Sequence, residues 1–274
     1  MTHSLHVPDE TLAFDESGKG PFVICVPSMG DVRGEYYFLT PLLVTKGYHV
    51  VTLDVRGHEE SSVNWPDYSV AAIGVDILAL IRHLHTGPSL IVGASMAAGV
   101  AVWAGVQAPD LIIGMVLIGP LIRDVMTVWQ TRLLFGLLLA HPWGAKVWRS
   151  YYGNFYLTAK PPDFTAYRTA LYANLRESGH LAALHSMIIA SKRAVEERLA
   201  QVRTPVLVGM GSKDPDFTKP EQEAMLVAQR LHDQVQMIEG AGHYPHAEMP
   251  VQVSPLIMSF FEQVKEEVSH EGIC

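Results

Sequence analysis

Three residues spread along the chain have the side-chain types needed for acyl transfer: a serine, a histidine and a carboxylate. The serine lies in "SLIVGASMAAG", where Leu90, Ile91 and Val92 read as a buried strand and the apolar run Val100 to Val106 as a helix. A sharp strand-to-helix joint strains its central residue and crowds the positions two before and two after it, so only small side chains fit there. Gly93 and Ala97 meet that demand around Ser95, whose hydroxyl then stands at the top of the sheet. The helix beginning at Met96 points its positive end and unpaired N–H groups toward the same spot. A serine hydroxyl keeps its proton at neutral pH, so a base must remove it and a third group must orient that base. His243, in "GAGHYPHAEMP", is the base candidate, and Asp214, in "VGMGSKDPDF", is the acid candidate. Both follow expected strands, at the edge where open α/β sheets place their sites. Asp216 competes with Asp214 for the same role, and Asp124 is a third candidate. His246 is expected to hydrogen bond within its own loop, and Glu248 to help start the last helix.

Holding such residues together requires a sheet, and the chain alternates short β-rich runs with longer helical patterns, the mark of a mostly parallel sheet covered on both faces. "SLHVPDETLAFDESGKG" reads as two short strands, "PFVICVPS" as a buried strand, Glu35 to Lys46 as a helix and "HVVTLDV" as the next strand. Val70, Ile73, Ile77, Leu80, Ile81 and Leu84 recur at helical spacing, and "LIIGMVLIG" follows as another strand. From Leu121 to about Leu199 the pattern is helical, rich in Trp, Tyr, Phe, Leu and Met, before "TPVLVGMG", a helix near Pro220 to Leu231, "QVQMIEG" and a last helix from about Val251 to Val268. This divides the chain into a core, 1–120 and 200–274, and a helical insertion, 121–199. The apolar insertion predicts an apolar pocket beneath it.

Composition narrows the partners. A formal charge of −8 with no cluster of Lys or Arg argues against a phosphate-backbone partner, so no nucleic acid is expected. Neither apolar run, Leu111 to Ile122 or Leu133 to Ala140, approaches the roughly 20 residues of a membrane span. The start "MTHSLHVPDE" lacks the basic and apolar regions of a secretion signal. The two cysteines, Cys25 and Cys274, do not make a disulfide framework, so a cytoplasmic setting is expected. The thirteen histidines show no metal-ligand spacing and "ESGKG" lacks the spacing of a phosphate loop, so neither metal nor cofactor is expected.

Taken in order, "VICVPSMGD", "DVRGHEESS", "VGASMAAG", "GSKD" and "GAGHYPHAEMP" resemble the α/β-hydrolase superfamily, specifically its small, lid-bearing bacterial serine esterases. The resemblance implies an α/β-hydrolase fold: a mostly parallel eight-stranded sheet flanked by helices, with a helical lid inserted after the sixth strand. It implies Ser95 as nucleophile, His243 as general base and then acid, and Asp214 as the residue orienting His243. It also implies an oxyanion hole built from the backbone N–H groups of Met29 and Met96. Two departures stand out: Ala97 where the family has Gly, and Pro27-Ser28 where it commonly has His-Gly, which leaves Ser28 and Gly30 as alternatives to Met29. Ser28, Trp129 and Tyr244 are the candidates for substrate contact. The implied activity is hydrolysis of a small, hydrophobic carboxylic ester, lactone or thioester through an acyl-enzyme. Carbon–carbon bond hydrolysis, acyl transfer to peroxide or another acceptor, and ligand sensing on the same fold are its rivals. A serine at position 95 disfavours dehalogenase and epoxide hydrolase chemistry, which use an aspartate there.

Overall fold

The computed structural model of the chain describes residues 2–7, 10–124 and 126–270. In chain order the first elements are β1 (Thr2–Val7), β2 (Glu10–Gly18), β3 (Phe22–Val26), α1 (Leu39–Thr45), β4 (His49–Leu53), α2 (Val70–Leu84), β5 (Ser89–Ala94), α3 (Met96–Gln107) and β6 (Ile112–Ile118). Between β6 and the next strand run α4 (Val128–Leu138), α5 (Gly144–Tyr152), α6 (Phe164–Asn174), α7 (His180–Ile189) and α8 (Arg193–Glu196). The chain then makes β7 (Val206–Gly211), α9 (Pro220–Leu231), β8 (Gln234–Ile238), α10 (Pro245–Glu248) and α11 (Pro250–His270).

The eight strands form one sheet in the order β1-β2-β4-β3-β5-β6-β7-β8. β2 pairs antiparallel with β1 and β4, and every other neighbouring pair is parallel. The inner strands are apolar throughout because both faces are covered. Ile73, Ile77, Leu80 and Ile81 of α2, Val100 and Ala104 of α3, and Val227 of α9 pack with Ile24, Val51 and Ile91 on one face. Leu39 and Leu43 of α1 and Ile257, Phe261 and Val264 of α11 pack with Val23, Val50 and Leu90 on the other. The alternation of sheet residues between these two clusters follows from the two-residue period of a strand.

Register sets what stands at the carboxyl edge. Val26 pairs with Gly93, so the loop after β3 lies beside the β5–α3 joint. Ala94 pairs with Ile118, and Ser95 N–H donates to the Ile118 carbonyl at 2.7 Å. Gly211 pairs with Ile238, which places the loops after β7 and β8 side by side.

The helix expected over Glu35–Lys46 is broken. Arg33–Tyr36 forms a 3₁₀ turn and α1 starts at Leu39. Pro41 has no N–H and is tolerated only in a first turn, so a continuous helix through it would lose a bond and clash. Cys25 is buried in β3, and Cys274 lies outside the described residues. Among the described residues no helix is long and apolar enough to cross a membrane.

Candidate active site

Ser95 occupies the joint between β5 and α3 with φ 53° and ψ −119°, a conformation rare for any residue with a side chain. The turn is tight enough that a Cβ on Gly93 would lie 2.4 Å from the Ala97 carbonyl oxygen, which explains the glycine. The methyl of Ala97 is accommodated. Ser95 lines a cleft together with Met29, Leu121, Phe155, Asp216 and Tyr244, and with Val128, Phe135 and Ile188 from the helices between β6 and β7.

Asp214 and His243 meet as expected. His243 Nδ1 lies 2.7 Å from Asp214 Oδ2, and both side chains are fully buried. The pair sits against the end of β6, since a Cβ on Gly119 would lie 3.1 Å from both Asp214 Oδ2 and His243 Nδ1. That glycine directly follows Ile118, the residue bonded to the Ser95 N–H, so serine, histidine and carboxylate stand on adjoining strand ends. His243 N–H donates to the Phe155 carbonyl at 2.9 Å, tying the histidine loop to the inserted helices. His243 Nε2 has no hydrogen-bond partner among the described residues. That edge makes only a looser charge contact, with Asp216, and catalytic hydrogen bonds are commonly long before substrate binds.

Asp216 is not on Nδ1. Its Oδ2 lies 3.5 Å from His243 Nε2, on the opposite edge of the ring, and Tyr151 OH donates to its other oxygen. The two carboxylates thus take different nitrogens. Burial alone would lower the His243 pKa, but Asp214 and Asp216 outweigh it and hold the ring up at about 9. Asp124 is far from this role: its oxygens accept from Ser191 Oγ at 2.6 Å and Lys192 N–H at 3.0 Å, stapling the two ends of the insertion. Asp214, Asp216 and His243 each bring one ligand atom within 4.8 Å of the others.

The loop after β3 resolves which N–H groups are spare. Ser28 N–H donates to Glu35 Oε2 at 2.7 Å and Gly30 N–H to His58 Nε2 at 2.9 Å. Among the described residues Met29 N–H has no acceptor, leaving it beside the cleft. Met96 is the first residue of α3 and its N–H is one that no helical carbonyl can reach. Of Ser28, Met29 and Gly30, Met29 is thereby the one whose N–H has no acceptor among the described residues.

Four expectations need correction. Ser28 is fully buried behind its loop with Oγ 2.5 Å from Tyr244 OH, and it does not line the cleft. Trp129 is 65 % exposed on the outer side of α4, because Val128, Thr131 and Phe135 occupy the face turned to the cleft. His246 reaches beyond its loop: Nε2 lies 3.1 Å from Glu35 Oε1 and the ring stacks on Tyr36. Glu248, expected at a helix start, instead accepts from Gly242 N–H at 2.6 Å and from Ala159 N–H at 3.0 Å, joining the histidine loop to the insertion. Tyr244 lines the cleft.

Reading residues one motif at a time missed a buried acidic layer beneath the loop. Asp31 accepts from Tyr152 OH at 2.7 Å, from Tyr167 OH and from Val32 N–H, and it is coupled to Glu35. Burial first, then the Glu35 charge, raises Asp31 to about 7, while burial outweighs the Ser28 donors and raises Glu35 to about 8. Burial lowers His58 to about 4 and His246 to about 3. The two carboxyls hold protons more tightly folded than unfolded. Their contribution to stability is complete below about pH 4 and is lost as pH rises through about 7 and 8. The two histidines act oppositely, losing their contribution as pH falls below about 6.5 toward 4 and 3. Asp31→Asn, which cannot ionise, is therefore expected to gain on the wild type by about 2 to 4 kcal/mol as pH rises from 4 to 8. Urea unfolding of both proteins at several pH values measures this, and parallel stability curves would refute it.

The chain resembles known proteins over most of its length. Its sequence is 31% identical over 107 residues to the Mycobacterium tuberculosis protein named "Putative non-heme bromoperoxidase BpoC", an overlap of 39% of this chain and 40% of that one. The matched segment thus spans about two fifths of that relative. A 3-oxoadipate enol-lactonase 2 of Acinetobacter baylyi is 24% identical over 208 residues, 74% of each chain. In fold, a thermophilic esterase from Thermogutta terrifontis superposes with a TM-score of 0.80, at 21% identity, over 96% of this chain and 99% of that one. The profile of the alpha/beta hydrolase family matches residues 23–256. With that match spanning the sheet from β3 to the start of α11, and with the strand order and site geometry above, the chain belongs to the alpha/beta hydrolase family.

Proposed function

We propose that this chain is a serine hydrolase that cleaves a carboxylic ester, or a lactone or thioester, with an apolar portion, through an acyl-enzyme. The observation that carries the reading is the pairing of His243 Nδ1 with buried Asp214, while Nε2, with no hydrogen bond among the described residues, lies on the same side as Asp216 of the cleft that Ser95 lines. In this reading His243 takes the Ser95 proton as the hydroxyl attacks the substrate carbonyl, forming a tetrahedral oxyanion. The oxyanion rests on Met29 and Met96 N–H, the two spare donors at the joint. His243 then protonates the leaving alcohol or thiol, which departs as the carbonyl re-forms. A water, deprotonated by the same imidazole, releases the acid and restores the serine. Asp214 holds the ring with Nδ1–H inward, so that Nε2 is the basic nitrogen. The cleft walls Leu121, Val128, Phe135 and Ile188 suit an apolar substrate portion. The lactonase and esterase among the similar proteins support the same chemistry.

A fluorophosphonate probe tests the acyl-enzyme step directly. Phosphonylation is expected at Ser95, in one-to-one stoichiometry, located by peptide mass spectrometry, with parallel loss of p-nitrophenyl acetate turnover. An active protein that carries no phosphonate at Ser95 would overturn the assignment.

A further inference from the structure

The cleft wall holds two cations, and they are in opposite states. Arg123 is matched to Glu223, with Nε 2.6 Å from Oε1 and Nη2 bonded to Oε2. Lys192, just before α8, is only 6 % exposed and lines the same cleft. Among the described residues its ammonium has no hydrogen bond and no carboxylate within 4.0 Å. Its electrostatic neighbour is Asp124, whose oxygens are already engaged by Ser191 Oγ and by the Lys192 backbone N–H. Burial pulls the Lys192 pKa down, with Asp124 opposing it.

A largely buried ammonium whose counter-charge, Asp124, makes no direct contact with it keeps its N–H donors open to an anion in the cleft. The remaining wall near it is apolar or acidic: Leu121, Ile188 and Ile189 contribute hydrocarbon, and Asp124 and Asp216 contribute negative charge. Two consequences follow. With Arg123 matched by Glu223, Lys192 is the cation of the described lining left for an anion, and Asp124 and Asp216 oppose any larger charge, so a single carboxylate suits the cleft better than a phosphate dianion. Asp216, 3.5 Å from His243 Nε2, repels an anion at the reacting end and so directs it toward Lys192.

We propose that Lys192 is a carboxylate-binding residue of the cleft, and that the substrate is an acid-ester or acid-lactone whose non-reacting end carries one carboxylate. The proposal rests on the serine-hydrolase reading for its reacting end, but the anion subsite is testable without turnover. Two p-nitrophenyl esters of matched length separate charge from chain: the mono-p-nitrophenyl ester of glutaric acid and p-nitrophenyl valerate, which differ by a terminal carboxylate in place of a methyl. Wild type is expected to favour the glutarate ester in kcat/KM. Lys192→Met, close in size but uncharged, should lower the glutarate-to-valerate ratio by about 10- to 100-fold, mainly through KM, with Lys192→Arg restoring part of it. Calorimetric titration of monomethyl glutarate into Ser95→Ala gives the binding arm, with the affinity expected to fall by a similar factor when Lys192→Met is added. Thermal melting should find Lys192→Met at least as stable as wild type, because a buried charge is removed. Equal kcat/KM for the two esters, with a ratio and an affinity that Lys192→Met does not change, would overturn the subsite and leave the serine mechanism standing. Lys192-dependent binding without hydrolysis of either ester would uphold the subsite and sink the serine mechanism.

Discussion

Ser95→Ala is expected to lower kcat for p-nitrophenyl esters by on the order of 10³ to 10⁶-fold while leaving the fold intact. The size follows from the role: without the hydroxyl no acyl-enzyme forms, and what remains is the aid that Met29 and Met96 N–H give to direct attack by water. The intact fold follows from the structure. Among the described residues no hydrogen bond involves Ser95 Oγ, and the backbone bond from Ser95 N–H to Ile118 is untouched by the substitution. Alanine also meets the same strain as serine at φ 53°. Steady-state kinetics beside a thermal melt is the check. Activity within tenfold of wild type, from a protein free of contaminating esterase, would remove Ser95 from the reaction.

Asp214→Asn and Asp216→Asn are expected to separate by three orders of magnitude or so. Asp214 accepts from His243 Nδ1 in a fully buried site, so an amide there removes the charge that stabilises the imidazolium and can turn its NH₂ toward the ring. The wrong tautomer then faces the serine, and a loss of about 10⁴ in kcat is expected. Asp216 touches the other edge of the ring at 3.5 Å and is partly open to the cleft. Its amide should cost less than about tenfold at high pH, because the Asp214 bond survives. It should, however, move the pH profile. In the free enzyme His243 loses its proton only near pH 9, so kcat/KM rises with pH toward that value. Removing the Asp216 charge stabilises the imidazolium less, and the acid limb shifts to lower pH. Profiles of kcat/KM from pH 5 to 10 for the three proteins decide the matter. A larger loss for Asp216→Asn, with an unshifted limb, would reverse the assignment of the two carboxylates.

The elements themselves were legible because their causes are local. "FVICV", "LIIGMVLIG" and "TPVLVGMG" are unbroken apolar runs of the kind a strand covered on both faces requires. The helix over Val70–Leu84 follows its 3.6-residue apolar spacing, with Ser69 capping it by accepting from Ala72 N–H. The break at Glu35–Lys46 is also local, since Pro41 marks it in the first turn of α1. Ser95 stood out because Gly93 and Ala97 report a steric demand made by their immediate neighbours.

Other features depend on how distant segments meet. Asp214 and Asp216 are the same residue type two positions apart, and sequence offers no means of telling which carboxylate meets Nδ1; the pairing of β7 with β8 and the course of the loop after it decide that. Ser28 stays out of the cleft because Glu35 draws its N–H inward, and Trp129 because the packing of α4 turns Val128 and Phe135 to the cleft. The proton-holding layer of Asp31 and Glu35, and the unpaired ammonium of Lys192, arise from burial, which a chain acquires only when segments far apart close over it. Sequence alone settled the alternation of strands and helices and the tight turn at Ser95, because backbone sterics and hydrophobic period act within a few residues. Which carboxylate orients His243, which amide stays free and which charge is left without a partner were decided by the tertiary structure, because each depends on contacts of a few ångströms between segments up to two hundred residues apart.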